Sequence, residues 1–268
     1  MKKFIIENEF WELFPTAKIG IIVANDIDNT IKDEAKYAPM LAAAEKETDK
    51  FFTEGDFSKN PVIKVWREAF TKFKTKKGAR SSIEALLKRV YNENHIGTIN
   101  PLVDIYNSIS LKYGMPCGGE DIETFVGDVR LTKAIGDEDF ITLGSEESAP
   151  PYEGEIVYKD DKGAICRCWN WRESVRTMLT ENTKHAFLCI ELVDETRTED
   201  FEAALNELSA LVTENWLVPN NTNYEPIFSY GIRFFGETIA VDLAFINNWD
   251  IAQQLIIGIP YVNFVVKF

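Results

Sequence analysis

The segment INPLVDIYNSISLKYGMP, residues 99–116, constrains the fold more than any other part of the chain. Asn100 is a favourable helix N-cap, and Pro101 is favourable at the first helical position, where no amide hydrogen is needed. Gly114 and Pro116 end the pattern, because glycine adopts the left-handed conformation of a helix C-terminus and proline cannot continue a helix. The sequence therefore predicts a helix that is fixed at both ends.

This predicted helix carries a polar face within an apolar sequence. Asn100, Asp104 and Asn107 are four and three residues apart, so they share one side of the helix. The residues around them are apolar, and polar side chains in such surroundings must find hydrogen-bond partners. Two interpretations remain open: the three side chains tie the helix to neighbouring loops, or they contact a ligand directly.

Apolar patterning divides the rest of the chain into helices and short strands. Two strands separated by Pro15 are predicted within residues 3–25. Helices are predicted over 31–52, 62–73, from Ser81 or Ser82 to Tyr91, and over 197–216 with Thr198 as its cap. Short strands are predicted over 127–134, 139–144, 155–160, 164–171 and 185–192. The fold class is therefore α+β, a mostly antiparallel sheet with helices packed on one side.

The character of the sequence changes after Trp216. Residues 218–226 are typical of a linker, and residues 227–268 mix aromatic, β-branched and isolated charged residues without a helical period. They are consistent with three strands. We therefore predict one domain over 1–217 and a C-terminal appendage over 218–268.

The charge of the chain restricts its partners. The formal net charge is −14, and a surface that negative repels phosphate backbones, so no DNA partner is expected and any RNA contact needs a local basic patch. Residues 67–89 carry eight basic and two acidic side chains, a local charge of +6. The alternative is a solvated, charged helix end. The candidate RNA-binding residues are Lys72, Lys74, Lys76, Lys77 and Arg80.

The sequence predicts a cytoplasmic protein without a metal or a cofactor. Four cysteines in a chain of this length are not a disulfide framework, and with only two histidines they do not match the usual zinc spacing. The N-terminal apolar stretch is too short for a signal peptide, and no stretch approaches the length of a membrane span. We expect reduced, packed thiols and no membrane partner.

The segment CRCWNWRE, residues 166–173, is a second candidate binding element. Continued as a strand, it would alternate its side chains between two faces. One face would carry Arg167, Trp169 and Trp171, and the other Cys168, Asn170 and Arg172. The arginines can hold a carboxylate or a phosphate through paired hydrogen bonds. The alternative is that the tryptophans are core residues and that the arginines pair with Glu173 or Glu181.

Residues 117–121, CGGED, form a third candidate element. Gly118 and Gly119 expose backbone that a ligand can approach closely, with the Glu120 carboxyl beside them. The alternative is a tight turn between a helix and a strand.

From Arg80 to residue 192 the sequence resembles the amino-acid-editing (B3/B4) domain of the phenylalanyl-tRNA synthetase beta subunit. The similarity is strongest in residues 99–116 and covers somewhat under half of the chain. It is carried by Asn100-Pro101, Val103-Asp104, Asn107, Gly114-Met115-Pro116, Asp121, Leu143-Gly144, the acidic segment VYKDD (157–161) and Asn182-Thr183.

The resemblance implies a domain that hydrolyses an amino acid wrongly attached to tRNA, with water attacking the ester and no protein nucleophile. The sequence itself contains no nucleophile elbow and no ATP-binding signature, so a complete tRNA ligase is excluded. Three roles are expected. Asn100 and Asp104 hold the Gly118-Gly119 loop. Arg167, Asn170 and Arg172 contact the acyl or phosphate end of the substrate, and Thr183 and Gly144 line the pocket for its side chain.

Three departures from the family pattern indicate a pocket of different chemistry. Gly118 stands where the family commonly has a histidine, CRCWNWRE replaces a glycine-rich turn, and Lys162 lies near the position of an acidic residue that hydrogen-bonds a tyrosine hydroxyl. Two hypotheses follow. The chain hydrolyses misacylated aminoacyl-tRNA in trans, or it is a non-catalytic module that binds an amino acid or a similar small molecule and has no RNA partner.

Overall fold

The computed structural model describes residues 2–30, 34–216, 228–235, 239–247 and 259–266, with side chains for 2–30 and 35–214. Its helices are α1 (Asn8–Leu13), α2 (Glu34–Glu47), α3 (Pro61–Phe70), α4 (Ser82–Tyr91), α5 (Pro101–Tyr113) and α6 (Thr198–Trp216). Its strands are β1 (Phe4–Ile6), β2 (Lys18–Ala24), β3 (Cys117–Asp121), β4 (Val129–Lys133), β5 (Ile156–Lys159), β6 (Ala164–Arg167), β7 (Arg172–Glu173), β8 (Ala186–Leu192), β9 (Phe228–Phe235), β10 (Ile239–Asn247) and β11 (Ile259–Val266).

The strands form two sheets, where the sequence predicted one. The smaller sheet has the order β1-β4-β5-β6-β7, and the larger has the order β11-β10-β9-β2-β8-β3. Among the described pairs of strands, β1 and β4 are parallel and all others are antiparallel. The predicted α+β class with a mostly antiparallel arrangement is confirmed.

Alternation along β8 shows how the layers are stacked. Leu188 and Ile190 belong to a core cluster shared with helices α5 and α6, whereas Phe187 and Cys189 pack with the core that contains Tyr158 of the smaller sheet. Successive strand residues point to opposite faces. The larger sheet is therefore covered by helices on one face and by the smaller sheet on the other.

Helix α5 is the helix predicted between Asn100 and Gly114. The Asn100 side chain accepts a hydrogen bond from the Val103 amide at 3.1 Å, and Gly114 ends the helix with a φ of 60°. Residues 101–111 are all buried because α2 and α6 pack on this helix and β3 lies beneath it. Helix α5 is therefore the centre of the helical layer.

Three predicted elements near the smaller sheet are wrong. The first predicted strand is only β1, followed by the short helix α1. Residues 139–144 are not a strand, because their backbone bonds go to separate segments: Asp139 accepts from Ala164, and Ile141 accepts from Val175. The strand predicted over 164–171 ends at Arg167, since Cys168 and Trp169 have φ of 45° and 64° and turn the chain.

Strands β9, β10 and β11 are the three strands predicted in residues 227–268. Strand β9 pairs with β2, with Ala24 opposite Phe228, and so continues the larger sheet. The predicted linker 218–226 lies outside the described residues, and the boundary between the two predicted domains stays a prediction. No helix in the described part of the chain is both long and apolar enough to cross a membrane.

Candidate functional site

A cavity of about 200 Å³ lies between the two sheets. Strands β3 and β8 of the larger sheet form one wall, and β4, β5, β6 and β7 of the smaller sheet form the other. Phe125, Ser82 at the start of α4, and the turn after β6 complete the lining. Drug-sized ligand sites span roughly 300–1,000 Å³, so this cavity fits a single side chain or a similarly small molecule.

The pairing of β3 with β8 decides which groups reach the cavity. Gly118 lies opposite Cys189, and Gly119 lies opposite Leu188. A Cβ atom on Gly118 would stand 3.6 Å from Glu173 Oε1 and 3.7 Å from Cys189 Sγ, whereas one on Gly119 would collide with Leu188 at 2.6 Å. Gly118 therefore faces the cavity and leaves space there, while Gly119 faces the helical layer.

Glu191 is a buried acceptor in the cavity wall. Its carboxylate accepts hydrogen bonds from the Tyr158 hydroxyl, from Trp169 Nε1 at 2.7 Å and from Asn170 Nδ2 at 2.5 Å. Burial raises the pKa of Glu191 to about 7, although the three donors act in the opposite direction. The carboxyl fixes the orientation of two side chains in the turn after β6.

Glu120 and Glu173 are a second acidic feature of the cavity. Both line it, and Glu120 Oε2 is buried without a hydrogen bond of normal geometry among the described residues, with the Thr177 hydroxyl near enough to lower its pKa. Burial raises the pKa of Glu173 to about 7, against the effect of a hydrogen bond from the Gly119 amide. Burial and the Glu173 charge raise the pKa of Glu120 well above its usual range. The pair is therefore partly protonated at neutral pH.

The thiols of the cavity are unreactive in this environment. Cys117, Cys166 and Cys189 all line it, and burial raises the pKa of each thiol. The thiolate is the nucleophilic form of cysteine, so these groups are poor nucleophiles. Within the described ranges, no three His, Cys, Asp or Glu side chains are placed to hold a metal ion.

The rim of the cavity carries the turn residues Asn170, Trp171 and Arg172. Asn170 donates to Glu191, and its buried Oδ1 has no partner in the described part of the protein. The Arg172 guanidinium lies over the Trp171 ring, 5.0 Å from its centroid, and its side chain is exposed. These side chains therefore lie between the cavity and solvent.

Arg167 does not line the cavity. Its guanidinium forms a buried, bidentate ion pair with Glu155 at 2.6 and 3.1 Å and donates to the Ala149 carbonyl. The partner is therefore Glu155, not Glu173 or Glu181. The alternation predicted for residues 167–172 is also wrong, because the chain turns at Cys168 and Trp169. Arg172, five residues on, is at the rim instead.

The polar face of α5 makes its hydrogen bonds outside the cavity. Asn100 Oδ1 accepts from Asn29 Nδ2 at 3.0 Å, and Asp104 Oδ1 accepts from the Ile99 amide at 2.8 Å. These bonds hold the segments before α2 and α5, not the Gly118-Gly119 strand. Asn107, which is buried, also lies outside the cavity lining.

Two further predicted contact residues lie away from the cavity. Thr183 is buried and donates to the Asp121 carboxylate at 2.8 Å. Gly144 sits in an exposed turn with a φ of 83°. Lys162 is likewise exposed in the turn after β5. Of the predicted contact residues, the structure brings together Gly118, Gly119, Glu120, Asn170 and Arg172 in the lining.

The basic segment, residues 72–80, contacts residues outside the cavity lining. Lys72 Nζ lies 5.3 Å from the Phe14 ring centroid, and the Lys74 amide donates to the Gly154 carbonyl. The Lys76 amide interacts with the thiol of Cys168, next to the lining residue Trp169. The segment then leads directly into Ser82. Lys72, Lys74 and Lys77 of this segment are exposed.

The comparison with known sequences decides the family. The profile of the B3/4 domain matches residues 65–215, more than half of the chain and including both the basic segment and the cavity-lining strands of the larger sheet. The chain belongs to the B3/4 domain family. The resemblance inferred from residues 99–116 is thereby confirmed.

Curated relatives of this B3/4 domain are phenylalanine–tRNA ligase beta subunits. The subunit of Mycoplasmoides gallisepticum is 33% identical over 101 residues, 38% of this chain and 12% of that protein. The subunit of Psychrobacter arcticus is 36% identical over 66 residues, 25% of this chain and 8% of that protein. The chain therefore matches only a small part of each relative.

A solved structure aligns over a longer stretch of this B3/4 domain. It is an N-terminal fragment of the phenylalanyl-tRNA synthetase beta subunit from Pyrococcus horikoshii, with 12% identity and a TM-score of 0.42. The alignment covers 80% of this chain and 48% of that fragment.

Sequence reasoning missed two acidic residues of this B3/4 cavity. Glu191 was visible as the single charged residue of the apolar strand HAFLCIEL, a pattern that indicates a buried acceptor with partners. For Glu173 the sequence predicts only an ion pair with an arginine. Its place opposite Gly118 depends on the turn at Cys168, which no local pattern indicates.

Proposed function

We propose that this B3/4 domain hydrolyses the ester of misacylated aminoacyl-tRNA in trans, holding the acyl side chain in the cavity between the sheets. The observation that carries the proposal is the cavity enclosed between the two sheets, whose lining residue Ser82 closely follows the basic segment 72–80 in the chain. Phosphate groups bind lysine and arginine, so the tRNA end would lie along this segment while its aminoacyl group enters the cavity.

The cavity is compatible with ester hydrolysis by a bound water molecule. It offers buried carboxyls whose pKa lies near neutrality, and groups of that kind accept protons from water efficiently at working pH. Asn170 and Arg172 at the rim supply hydrogen-bond donors for the carbonyl or the terminal ribose. No protein nucleophile is needed for this chemistry.

Deacylation of charged tRNAs is the direct test. The purified protein is incubated at low salt with tRNAs carrying different amino acids, and loss of the ester is followed. We expect selective release for a small set of amino acids and a large loss of kcat/KM in Arg172→Ala. Release from none of the charged tRNAs would refute the proposal.

A matched pair of charge variants tests the RNA-binding segment. Lys74→Glu with Lys77→Glu places acidic groups in the basic segment, and Lys46→Glu with Lys59→Glu changes the net charge equally at exposed sites outside the segment. We expect the first variant to lose tRNA binding and to flatten its salt dependence, because phosphate contacts release counterions. If both double variants lost tRNA binding equally, binding would depend on the net charge of the protein and not on the basic segment.

A second candidate function is binding without catalysis. It is favoured by the three carboxyls in the cavity and by the net charge of −14, both unfavourable for a phosphate-bearing ligand. Under this alternative a small molecule binds, tRNA does not, and the lysine variants have no effect on ligand affinity.

A further inference from the structure

We propose that the cavity is an ammonium site, in which the carboxyls of Glu120 and Glu173 bind the protonated amine of a small aliphatic ligand. The ammonium site defines the chemical class of ligand that the cavity binds. It rests on the proposed function in one respect: the cavity is taken as the place where the acyl group binds.

The hydrogen-bonding state of Glu120 is the first argument. This side chain is 7% exposed and lies in a cavity wall, and its Oε2 atom makes no hydrogen bond of normal geometry among the described residues, although the Thr177 hydroxyl is near enough to lower its pKa. A buried polar atom without a partner is unfavourable. An ammonium group carries three donors and no acceptor, so it can satisfy Glu120 and Glu173 at the same time.

The charge of the lining is the second argument. Three carboxyls line the cavity, and Glu191 is already satisfied by its three donors, which leaves Glu120 and Glu173 for a ligand. Arg172, the cationic residue of the described lining, is exposed at the rim and lies over Trp171. A cation is therefore attracted to the interior, whereas a ligand carboxylate or phosphate is repelled from it.

The apolar walls of the cavity favour a ligand whose ammonium group is attached to an aliphatic chain. Phe125, Tyr158, Trp171 and Phe187 line the cavity, and aromatic faces attract cations as well as methylene groups. A volume of about 200 Å³ accommodates a short alkyl chain with one charged end. The walls and the carboxyl pair together fit an amine on an aliphatic chain.

The site also predicts how binding depends on pH. An ammonium ion binds the ionised carboxyls, and burial raises the pKa of Glu173 to about 7. Below that pH the carboxyl is protonated and binding is weak; above it the carboxyl is ionised and binding is strong. We therefore expect affinity to rise between pH 6 and pH 8, with release of protons on binding at pH 7.

The other groups around the pair do not reverse this dependence. Glu191 titrates in the same range and in the same direction, because burial raises its pKa to about 7. Burial keeps the thiols of Cys117, Cys166 and Cys189 and the phenols of Tyr106 and Tyr158 neutral, since it raises the pKa of each. The charged neighbours are Arg172 at the rim and Arg176, which is paired with Asp160.

Calorimetric titration with n-butylamine and with its uncharged counterpart 1-butanol tests the proposal. We expect n-butylamine to bind at least about tenfold more tightly at pH 8, and Glu120→Gln and Glu173→Gln each to weaken it by about tenfold. Glu147→Gln, on an exposed loop, should bind like the unmodified protein. Equal affinity for the amine and the alcohol would overturn the proposal, and this comparison needs no variant to fold.

A second pair of ligands identifies where the ammonium comes from. Nα-acetyl-lysinamide carries only a side-chain ammonium, and norleucinamide carries only an α-ammonium on a side chain of similar length. Binding of the first assigns the site to basic side chains, and binding of the second assigns it to the α-amino group. Binding of neither overturns the ammonium site.

Deacylation distinguishes this inference from the proposed function. A protein that deacylates tRNA but does not prefer n-butylamine to 1-butanol retains its proposed function and loses its ammonium site. A protein that binds n-butylamine through Glu120 and Glu173 but releases no amino acid from any tRNA retains the ammonium site and loses the proposed function.

Discussion

Glu191 accepts three hydrogen bonds from side chains of β5 and of the turn after β6, so a single residue holds one wall of the cavity. Replacing it with leucine leaves Tyr158, Trp169 and Asn170 without their acceptor. Each buried donor left unpaired costs about 1–3 kcal/mol. We expect Glu191→Leu to lower the free energy of unfolding by roughly 3 kcal/mol or more in urea denaturation.

Glu147→Leu is the control for this substitution. Glu147 lies on an exposed loop, and its replacement should change the free energy of unfolding by less than about 0.5 kcal/mol. If Glu191→Leu were as mild as this control, the three hydrogen bonds would not stabilise the fold.

At the scale of the element, strand β3 contains two adjacent glycines that face different parts of the protein: Gly118 faces the cavity and Gly119 faces the helical layer. A Cβ atom on Gly119 would stand 2.6 Å from Leu188 Cδ2 and 2.8 Å from Leu179 Cδ1, so Gly119→Ala forces these two side chains, or β3 itself, to shift. Overpacking of this kind costs about 1–3 kcal/mol. Gly118→Ala meets only ordinary contacts at 3.6 Å and should leave the melting temperature nearly unchanged.

The two variants also separate stability from binding. Gly118→Ala places a methyl group in the cavity and should weaken ligand binding in a protein of normal stability. Gly119→Ala should lower stability without narrowing the cavity directly. If Gly118→Ala lowered the melting temperature more than Gly119→Ala, the assignment of these two residues to the faces of β3 would be wrong.

Helix α5 depends on its N-terminal asparagine. Asn100 accepts from the Val103 amide at 3.1 Å and from Asn29 at 3.0 Å, so Asn100→Ala removes both a helix cap and the tie to the segment before α2. Loss of such a cap costs about 1–2 kcal/mol. Chemical denaturation of Asn100→Ala and of the exposed Asn94→Ala checks this, and similar midpoints would contradict the proposed role.

At the scale of the whole molecule, the buried acids make stability depend on pH in an unusual direction. The folded-state pKa of Glu191 is about 7, above its ordinary value of 4.5, so between these values the folded protein holds a proton that the unfolded chain has lost. The contribution of Glu191 to stability is therefore fully present below pH 4.5 and is lost as pH rises through 7. A shift of this size corresponds to about 3 kcal/mol.

Urea denaturation at pH 5, 6, 7 and 8 measures this dependence, and Glu191→Gln should reduce the slope because glutamine does not titrate. Acidic groups with lowered pKa, such as Asp160 beside Arg176, lose their stabilising effect only at lower pH. Stability that rises steadily from pH 5 to pH 7 would contradict the buried state of Glu191.

The sequence predicted the parts of the fold that are determined locally. Asn100-Pro101 and Gly114 bound α5 because capping depends on neighbouring residues. The division into two sheets was not predictable, since the partner of a strand is set by distant segments. The same is true of the site: Glu120 and Arg172 were identified from their segments, but Glu173 reaches the cavity only because the chain reverses at Cys168 and Trp169.

The alternation of β8 between the helical layer and the smaller sheet has an evolutionary consequence. Leu188 and Ile190 pack in the helical layer, while Phe187 and Cys189 line the cavity. Substitutions at one set of positions leave the other set in place, so ligand preference can diverge among descendants of a common ancestor while the architecture is inherited unchanged.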